Sequence, residues 1–369
     1  MNNLSKQEKA HYHRHLILGQ IGESGQLLLK QAKVLVIGAG GLGNPILLYL
    51  TAAGVGEIGI VDDDIVENSN LQRQVLFSID QVGSLKVDAA IDVLKKKNAF
   101  VKFNRHAFRL SKDNALSTIQ NYDVVIDGSD NFPTRYLVND ACVLANKVLV
   151  FGAIFKFDGQ VSVFNYENGP TYRCLFPQPP LPGEVPNCSE VGVLGILPGL
   201  VGSYMANEAL KIILKIGNPL VGKLLVVDAL SLNQSVMHFK KDEKRAEISR
   251  LEGNYNFFCG IEETNNQNTI TPIEVERLKK DFVFVDVREK AEYDLVHIKN
   301  AFLAPLSNLP AYVDHIPKDK PVIVYCHHGM RSLQAINYLK ENYGYNNLLN
   351  LTGGIDEWSL TIDPSLIRY

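Results

Sequence analysis

The chain has 369 residues, 46% of them hydrophobic and 21% charged, and a formal net charge of −3. At ~150 residues per domain the length predicts two or three domains, and the composition excludes general disorder. Because there is no basic excess, we expect no nucleic-acid partner.

The five cysteines are too few and too scattered for a secreted disulfide scaffold. The N-terminus lacks the apolar core of a signal peptide, and no apolar stretch reaches the ~20 residues of a membrane span. We therefore expect a cytoplasmic protein with no membrane partner.

The first two thirds of the chain alternate between strand and helix patterns. Ser5 and Glu8 have the spacing of a capping box, which predicts a helix start. The predicted strands are 34–37, 58–61, 101–103, 124–126, 148–151, 160–164 and 223–227, and the predicted helices include 42–53, 86–97 and 191–216. This alternation predicts an α/β fold with a Rossmann-like, doubly wound, mostly parallel sheet.

A polar segment poor in aliphatic residues divides the chain. We predict a first domain over 1–245, a linker over 246–269 and a second, smaller α/β domain over 270–369. The elements predicted in the second domain are helices 273–280 and 332–342 and strands 282–286, 322–325 and 347–351.

A glycine-rich loop follows the first predicted strand. Gly38-Ala-Gly-Gly-Leu-Gly43 lies between a strand and a helix, where the backbone can approach a phosphate. Asp62 ends the next strand, 19 residues beyond Gly43, and is placed to bind ribose hydroxyls. The pair predicts a nucleotide; a tight turn without ligand and an NAD-dependent oxidoreductase stay open.

A polar cluster favours a triphosphate over a dinucleotide. Arg73 and Lys86 supply cations that could clamp phosphates. Asp130 and Asn131 follow the predicted strand 124–126, and a carboxylate there suits Mg²⁺ bound to phosphate oxygens. The remaining polar positions are Ser69, Asn70, Gln72 and Gln74.

With these motifs, residues 1 to about 245 resemble the ThiF/MoeB adenylyltransferases, which act on ubiquitin-like sulfur carriers. The resemblance implies ATP and Mg²⁺ as cofactors, with Asp62 on the ribose and Asp130 holding Mg²⁺. It also implies a homodimer in which Arg14 reaches the partner's site. The resemblance further implies that Asn70, Arg73 and Lys86 bind the phosphates. The other positions of the implied nucleotide site are Gly38, Gly40, Gly41, Gly43, Asp64, Ser69, Leu71, Gln72, Gln74 and Asn131.

The cysteines of this domain have different expected roles. Cys188, in a Pro-bounded loop, matches the family's conjugating cysteine and is a candidate resolving thiol. Relatives carry two Cys-x-x-Cys pairs, whereas only Cys174 and Cys259 are present here. Two thiolates do not close a tetrahedral zinc site, so we predict no structural zinc and expect Cys174 and Cys259 to lie close together. Cys142 is expected in the core.

Cys326 lies in Tyr325-Cys-His-His-Gly-Met-Arg331-Ser, between a predicted strand and a helix. Loop amides and Arg331 there would favour the thiolate, so Cys326 is a candidate nucleophile. The segment resembles a rhodanese active loop, which implies a persulfide on Cys326. Its stabilising residues would be His327, His328, Gly329 and Arg331.

Together the two halves predict ATP-dependent adenylation of a carrier's C-terminal glycine, followed by sulfur transfer from a Cys326 persulfide. Arg73, Lys86, Asp130, Cys188 and Cys326 are the expected catalytic residues. The expected partners are a sulfur carrier of MoaD or ThiS type and an upstream persulfide donor such as a cysteine desulfurase. Two alternatives stay open: an NAD-dependent oxidoreductase fused to a regulatory rhodanese-like domain, and a non-enzymatic scaffold. Molybdopterin, thiamine and tRNA thiolation stay open as pathways.

Overall fold

The computed structural model describes residues 3–180, 192–253, 255, 269–278 and 281–368. These residues divide into two compact units, with everything described up to Tyr255 in the first and everything from Thr269 onward in the second. Part of the expected linker lies outside the described ranges, so the domain boundaries stay a prediction.

One eight-stranded sheet forms the centre of the first unit. Its strands are β1 (Lys33–Ile37), β2 (Glu57–Val61), β3 (Lys102–His106), β4 (Val124–Asp127), β5 (Val148–Phe155), β6 (Asp158–Phe164), β7 (Lys223–Asp228) and β8 (Gln234–His238). The order is β3-β2-β1-β4-β5-β6-β7-β8. Neighbours from β3 to β5 are parallel, and the strands beyond β5 are antiparallel.

The expected doubly wound, mostly parallel sheet is confirmed. In its centre Val36 pairs with Ile60 on one side and Ile126 on the other, and all three are fully buried. Such strands read as continuous apolar runs because helices cover both faces. Strand β8 did not stand out in the sequence because all five of its residues are exposed.

Helices cover this sheet. They are α1 (Lys6–His11), α2 (His13–Leu16), α3 (Gly22–Gln31), α4 (Gly43–Ala53), α5 (Lys86–Lys97), α6 (Ala115–Ile119), α7 (Phe132–Leu144), α8 (Tyr172–Leu175), α9 (Leu197–Leu214) and α10 (Glu243–Ala246). The capping box of α1 is present, since Ser5 Oγ accepts from Glu8 N–H at 3.1 Å and Glu8 Oε2 from Ser5 N–H at 2.8 Å.

The long apolar helix α9 is shorter than the sequence pattern predicts. It begins at Leu197, whereas the prediction of a helix from 191 was wrong for residues 192–196. Pro198 explains the start, because proline lacks an N–H and fits the first turn. The helix packs against α4, β5 and β6. No helix within the described residues is long and apolar enough to cross a membrane.

The second unit is a smaller α/β structure, as expected. Its strands are β9 (Thr269–Ile270), β10 (Val283–Asp286), β11 (Phe302–Leu303), β12 (Val322–Tyr325) and β13 (Leu348–Leu351), in the order β11-β10-β12-β13-β9 and all parallel. Its helices are α11 (Pro272–Glu276), α12 (Lys290–Leu295), α13 (Met330–Tyr343) and α14 (Gly354–Thr361).

Strand β12 separates two apolar clusters of this unit. Val322 and Val324 face one cluster, and Ile323 and Tyr325 face the other. This alternation follows the two-residue period of a strand with both faces buried. This strand, buried on both faces, therefore places Cys326 at the carboxyl edge of the sheet.

Candidate active sites

The glycine-rich loop joins β1 to α4 at the carboxyl edge of the first sheet. Gly38 has a φ of +87°, which glycine adopts without strain. A Cβ at Gly43 would overlap the Gly38 carbonyl oxygen, and a Cβ at Gly38 would lie 3.0 Å from the Gly128 carbonyl oxygen. The loop therefore packs against the loop after β4, at the point where strand order reverses and open α/β sheets bind ligands.

Asp62 follows β2 and holds the glycine loop in place. Its Oδ2 accepts a hydrogen bond from the Ala39 N–H at 2.7 Å, and its Oδ1 accepts one from the Asp64 N–H at 2.9 Å. Burial raises the pKa of the Asp62 carboxyl, although these N–H groups and the Lys86 charge oppose the rise. The expected ribose-binding carboxylate thus also anchors the loop backbone.

Lys86 begins α5 on the β2 side of the loop. Its Nζ lies 2.9 Å from Asp64 Oδ2, and its side chain is 8% exposed while that of Asp64 is 68% exposed. The Lys86 backbone N–H also donates to the Asp64 carbonyl oxygen at 2.9 Å. The structure therefore holds a buried ammonium group beside the expected nucleotide site.

Arg73 reaches the glycine loop from the segment that follows β2. Its Nη1 donates to the Ser69 carbonyl oxygen at 3.0 Å, and a Cβ at Gly41 would lie 3.9 Å from Arg73 Cγ. Gln74 is buried, and its Nε2 would lie 3.8 Å from a Cβ at Gly40. Arg73 and Gln74 thus lie next to the glycine loop, and their expected roles in nucleotide binding stay predictions.

The other residues of this segment have mainly local contacts. Asn70 is buried, with its Oδ1 accepting from the Glu67 N–H at 3.2 Å and its Nδ2 donating to Ser69 Oγ at 3.4 Å. Leu71 packs on the apolar core. Gln72 touches the segment before α9, since a Cβ at Gly195 would lie 2.6 Å from its carbonyl oxygen.

Asn44 belongs to this site although the sequence motifs do not single it out. It is fully buried in the first turn of α4. Its Nδ2 donates to the Ala39 carbonyl oxygen at 2.7 Å, and its Oδ1 accepts from the Leu76 N–H at 2.8 Å. Asn44 therefore joins the glycine loop to the segment that carries Arg73. The available signal was a polar residue inside an otherwise apolar helix.

Two aspartates lie in the loop after β4. Asp127 is buried, its Oδ1 accepts from the Ser129 N–H at 2.9 Å, and burial raises its pKa. Asp130 is exposed. The neighbouring Asn131 caps α7, since its Oδ1 accepts from the Thr134 N–H at 3.0 Å. The loop therefore presents one exposed carboxylate beside the glycine loop.

Arg14 lies apart from these residues. It is exposed in α2 and forms no side-chain hydrogen bond or ion pair with any residue that the structure describes. Nothing in the described chain brings it to the glycine loop, and its expected role across a homodimer stays a prediction.

The cysteines of the first unit have distinct environments. Cys142 is fully buried in α7, as expected, and burial raises the pKa of its thiol. Cys174 Sγ accepts from the N–H groups of Thr171 and Asp242, each at 3.4 Å.

Cys188 and Cys259 lie outside the described residues. The resolving role, the proximity of Cys174 to Cys259 and the expected lack of structural zinc therefore stay predictions. Within the described ranges, no group of three or more His, Cys, Asp or Glu could hold a metal ion.

Cys326 lies directly after β12 and before α13 in the second unit. It is 2% exposed. Its Sγ accepts a hydrogen bond from the Gly329 N–H at 3.1 Å. Ser332 Oγ lies 3.5 Å from the sulfur and donates its proton to Asn350 Oδ1 at 2.6 Å. One backbone N–H therefore points at the sulfur from the start of α13, with the Ser332 hydroxyl beside it.

The loop backbone is fixed by the start of α14. The Ile355 N–H donates to the Cys326 carbonyl oxygen at 2.9 Å, and the Asp356 N–H donates to the His327 carbonyl oxygen at 3.2 Å. A Cβ at Gly354 would overlap the His327 carbonyl oxygen. With its carbonyl groups held outward, the loop can turn an N–H toward the sulfur.

Arg331 is paired with a carboxylate from α12. Its Nη1 and Nη2 each donate to a Glu292 carboxylate oxygen at 2.7 Å. Burial raises the pKa of Glu292, but the hydrogen bonds and charge of Arg331, together with the Glu289 N–H and the Arg288 charge, outweigh it, so the net shift is downward. Arg288 is fully buried and makes a similar pair with Asp286, with Nη2 2.6 Å from Oδ2.

The two histidines of the loop differ. His327 is half-buried, and burial together with the neighbouring His328 charge lowers its pKa to about 4. His328 is exposed, with its Nδ1 3.9 Å from Asp356 Oδ2. The His327 ring is therefore neutral at neutral pH.

Comparisons with protein families cover both units. The ThiF family model matches residues 12–249, and the rhodanese-like domain model matches residues 271–361. The likeness to solved structures concerns the fold alone. A crystal structure of Escherichia coli MccB with MccA-N7isoASN aligns with a TM-score of 0.57 at 24% identity, covering 63% of this chain and 72% of that one.

Curated relatives match nearly the whole chain. A probable adenylyltransferase/sulfurtransferase MoeZ of Mycobacterium tuberculosis is 44% identical over 99% of this chain and 96% of its own length. Adenylyltransferase and sulfurtransferase MOCS3 of Drosophila sechellia is 38% identical over 99% of this chain and 86% of its length. A sulfur carrier protein adenylyltransferase of Thermus thermophilus is 51% identical over 70% of this chain and 98% of its length.

Proposed function

Because the chain belongs to the ThiF family and continues into a rhodanese-like domain, it is an adenylyltransferase and sulfurtransferase, and we propose that it makes a protein thiocarboxylate. Its substrate would be the C-terminal glycine of a ubiquitin-like sulfur carrier of MoaD or ThiS type. One observation carries the proposal: the chain combines a cation-flanked glycine loop with a cysteine whose sulfur accepts a loop N–H at 3.1 Å. The names of the relatives support this function over an NAD-dependent oxidoreductase.

In the first step, a carboxylate oxygen of the carrier bonds to the α-phosphorus of ATP. The bond from that phosphorus to the bridging oxygen breaks, and pyrophosphate leaves with the electron pair. Both reactants are anions, so the site has to neutralise charge and align the attack. Lys86, paired with Asp64, and Arg73, next to Gly41, supply positive charge for this step.

Magnesium would accompany ATP at Asp130. This exposed carboxylate has one hydrogen-bond contact within the described residues, Asn131 Nδ2 at 3.5 Å. Its remaining lone pairs fit Mg²⁺, which takes one or two carboxylates together with phosphate oxygens. Bound there, the ion would reduce the negative charge of the phosphates.

In the second step, the terminal sulfur of a Cys326 persulfide attacks the acyl-adenylate carbonyl carbon, and AMP leaves. The product is an acyl disulfide between the carrier and Cys326. A thiol, from Cys188 or from an external molecule, then attacks the Cys326 sulfur and releases the carrier thiocarboxylate. This leaves a disulfide, which a further thiol has to reduce before the next cycle.

The partners follow from this chemistry. A persulfide donor such as a cysteine desulfurase would load Cys326, and a homodimer would bring Arg14 to the partner's site. The scarcity of cysteines supports a cytoplasmic location. Molybdopterin, thiamine and tRNA thiolation stay open as pathways, and binding assays with each candidate carrier would separate them.

Pyrophosphate exchange tests the first step. Exchange of labelled pyrophosphate into ATP should depend on the carrier and should collapse in Arg73→Ala and Asp130→Ala. Arg105→Ala is a suitable control, because Arg105 is an exposed arginine of the same unit paired with Asp88. Exchange that persists in both site variants would refute the assignment.

Thiosulfate-to-cyanide sulfur transfer tests the second step. This reaction should require Cys326, whereas Cys142→Ala should retain it because Cys142 lies in the core of the other unit. An active Cys326→Ala variant would remove the proposed role.

A further inference from the structure

Arg135 is a buried cation near the candidate adenylation site. It lies in the first turns of α7 and is 9% exposed. Its Nε has no hydrogen-bond partner among the residues that the structure describes. Its Nη2 makes a long bond, 3.5 Å, to the Ser129 carbonyl oxygen. The guanidinium carbon lies 5.3 Å and 5.8 Å from the ring centroids of Phe132 and Phe151.

Other buried cations of the chain have close carboxylate partners. Arg173 donates two hydrogen bonds to Asp140, at 2.8 Å and 2.6 Å. Lys86 pairs with Asp64. Arg135 forms no ion pair with any carboxylate among the described residues, so Asp127 stabilises it only from a distance.

This arrangement is costly for folding. A buried charge without a close counter-charge destabilises the fold by more than a cation–π contact stabilises it. A buried cation that lowers stability and lies next to a reaction site is typical of a group that binds an anionic ligand.

The strand order indicates which anion this is. Along the carboxyl edge, Asp62 and Lys86 lie by β2, the glycine loop follows β1, and Asp130 follows β4. Arg135 lies beyond Asp130, toward β5, because its guanidinium is next to Phe151 of β5. The expected ribose and triphosphate positions are therefore on the β2 and β1 side of the glycine loop, whereas Arg135 lies on the β5 side of Asp130.

We propose that Arg135 binds the C-terminal carboxylate of the carrier and orients it for attack on the α-phosphorus. This inference rests on the proposed adenylation function and names a residue for its second substrate. A guanidinium suits the task because two parallel N–H groups can hold a carboxylate in one plane. Pairing also removes one of the two negative charges that repel each other during the attack.

The test compares two forms of one probe, a MoaD-type carrier ending in a carboxylate and the same carrier ending in a carboxamide. Binding is measured with a non-hydrolysable ATP analogue present. The wild-type chain should prefer the carboxylate form by about tenfold or more. Arg135→Met should reduce this preference at least fivefold, and Arg135→Lys should retain part of it. The exposed-arginine control Arg105→Gln should match wild type.

Two further measurements separate this role from others. ATP affinity without carrier should change less than about threefold in Arg135→Met, since the residue is assigned to the other substrate. The melting temperature of Arg135→Met should stay equal or rise, because an apolar side chain replaces an unpaired buried charge. The preference ratio does not depend on the folded fraction, so it can be read even from a poorly folded variant.

An unchanged carboxylate preference in Arg135→Met would overturn the proposal, as would a loss of ATP affinity with that preference intact. These results differ from failure of the adenylation function itself. In that case the wild-type chain would show no carrier-dependent pyrophosphate exchange.

Discussion

The carboxyl edge of the first sheet and the Cys326 loop of the second unit satisfy their charged groups in opposite ways. At the first, Asp130 is exposed, Arg73 donates to a backbone carbonyl oxygen, and the Arg135 Nε has no partner within the described part of the chain. At the second, Arg331 is paired with Glu292 and the Cys326 sulfur already accepts a hydrogen bond from the Gly329 N–H.

The difference reflects what each site has to receive. A site for two anionic substrates needs polar groups that the protein leaves partly unsatisfied until the substrates arrive. A loop that carries its own nucleophile can be completed by the protein alone. We therefore expect substitutions at the first site to act mainly on substrate use, and substitutions around the second to act also on folding.

The largest expected effect separates the two sites. Asp130→Asn should lower carrier-dependent pyrophosphate exchange by about 10³-fold because it removes the carboxylate proposed to hold Mg²⁺ beside the phosphates. Cys326→Ser should lower thiosulfate-to-cyanide transfer by at least about 10³-fold because it removes the nucleophile. Each variant should keep the activity of the other unit within about twofold.

Assaying both activities on the same preparations of both variants checks this separation. If Asp130→Asn also abolished sulfur transfer, the two sites would not be chemically independent, and the expected difference between the first site and the Cys326 loop would be wrong.

The next effect concerns the stability of the second unit. Glu292→Gln leaves Arg331 without its carboxylate in a largely buried position, and breaking such a pair costs about 3 kcal/mol. Asp294→Asn on the same helix is the control, since its pair with Lys290 is exposed and should contribute under about 0.5 kcal/mol.

Urea unfolding followed by tryptophan fluorescence measures this effect directly. Trp358 is the only tryptophan of the chain and lies in the apolar cluster beside β12, so the signal reports on the second unit. Equal unfolding midpoints for Glu292→Gln and wild type would show that the loop's charges do not stabilise this unit.

A smaller effect is expected at Asn44. Asn44→Ala removes the link between the glycine loop and the segment that carries Arg73. A slight shift of Arg73 relative to the loop should raise the KM for ATP about tenfold. Asn98→Ala is a matched control. Asn98 is also buried in the first unit, where its Nδ2 donates to Tyr12 and to the Thr51 carbonyl oxygen, away from the loop.

Both asparagine variants should lose similar stability, by roughly 1–3 kcal/mol from unsatisfied buried groups. Thermal melts and ATP kinetics on the pair distinguish positioning from general packing. A KM that rises equally in Asn98→Ala would assign Asn44 a structural role only.

The sequence predicts most of what is local in these sites. The glycine loop, Asp62 and Cys326 stand at strand ends, and short-range patterns place them at the carboxyl edges, while Lys86 begins the predicted helix 86–97. The Glu292 to Arg331 pair joins residues 39 positions apart, on elements whose packing no short pattern specifies.

Arg135 and Asn44 were missed for a related reason. Their importance depends on which partners surround them after folding: Arg135 lacks an ion pair within the described chain, and Asn44 bridges two loops. A single buried polar residue in a helix has no distinctive spacing, so only the tertiary contacts reveal it. The start of α9 was misplaced because apolar composition continues through residues that do not form the helix.

The smallest effect concerns pH and the closed character of the Cys326 loop. Burial lowers the His327 pKa from 6.5 to about 4, so the folded protein keeps this ring neutral where the unfolded chain begins to bind a proton. Because the unfolded state then holds more protons, stability falls as the pH drops from about 6.5 toward about 4.

His327→Gln removes this contribution. The urea midpoint of wild type, read from Trp358 fluorescence, should therefore fall more steeply on acidification than that of the variant. Midpoints that change in parallel over this range would mean that the loop does not hold His327 in its neutral form. The Cys326 loop would then be more open to water than the difference between the two sites implies.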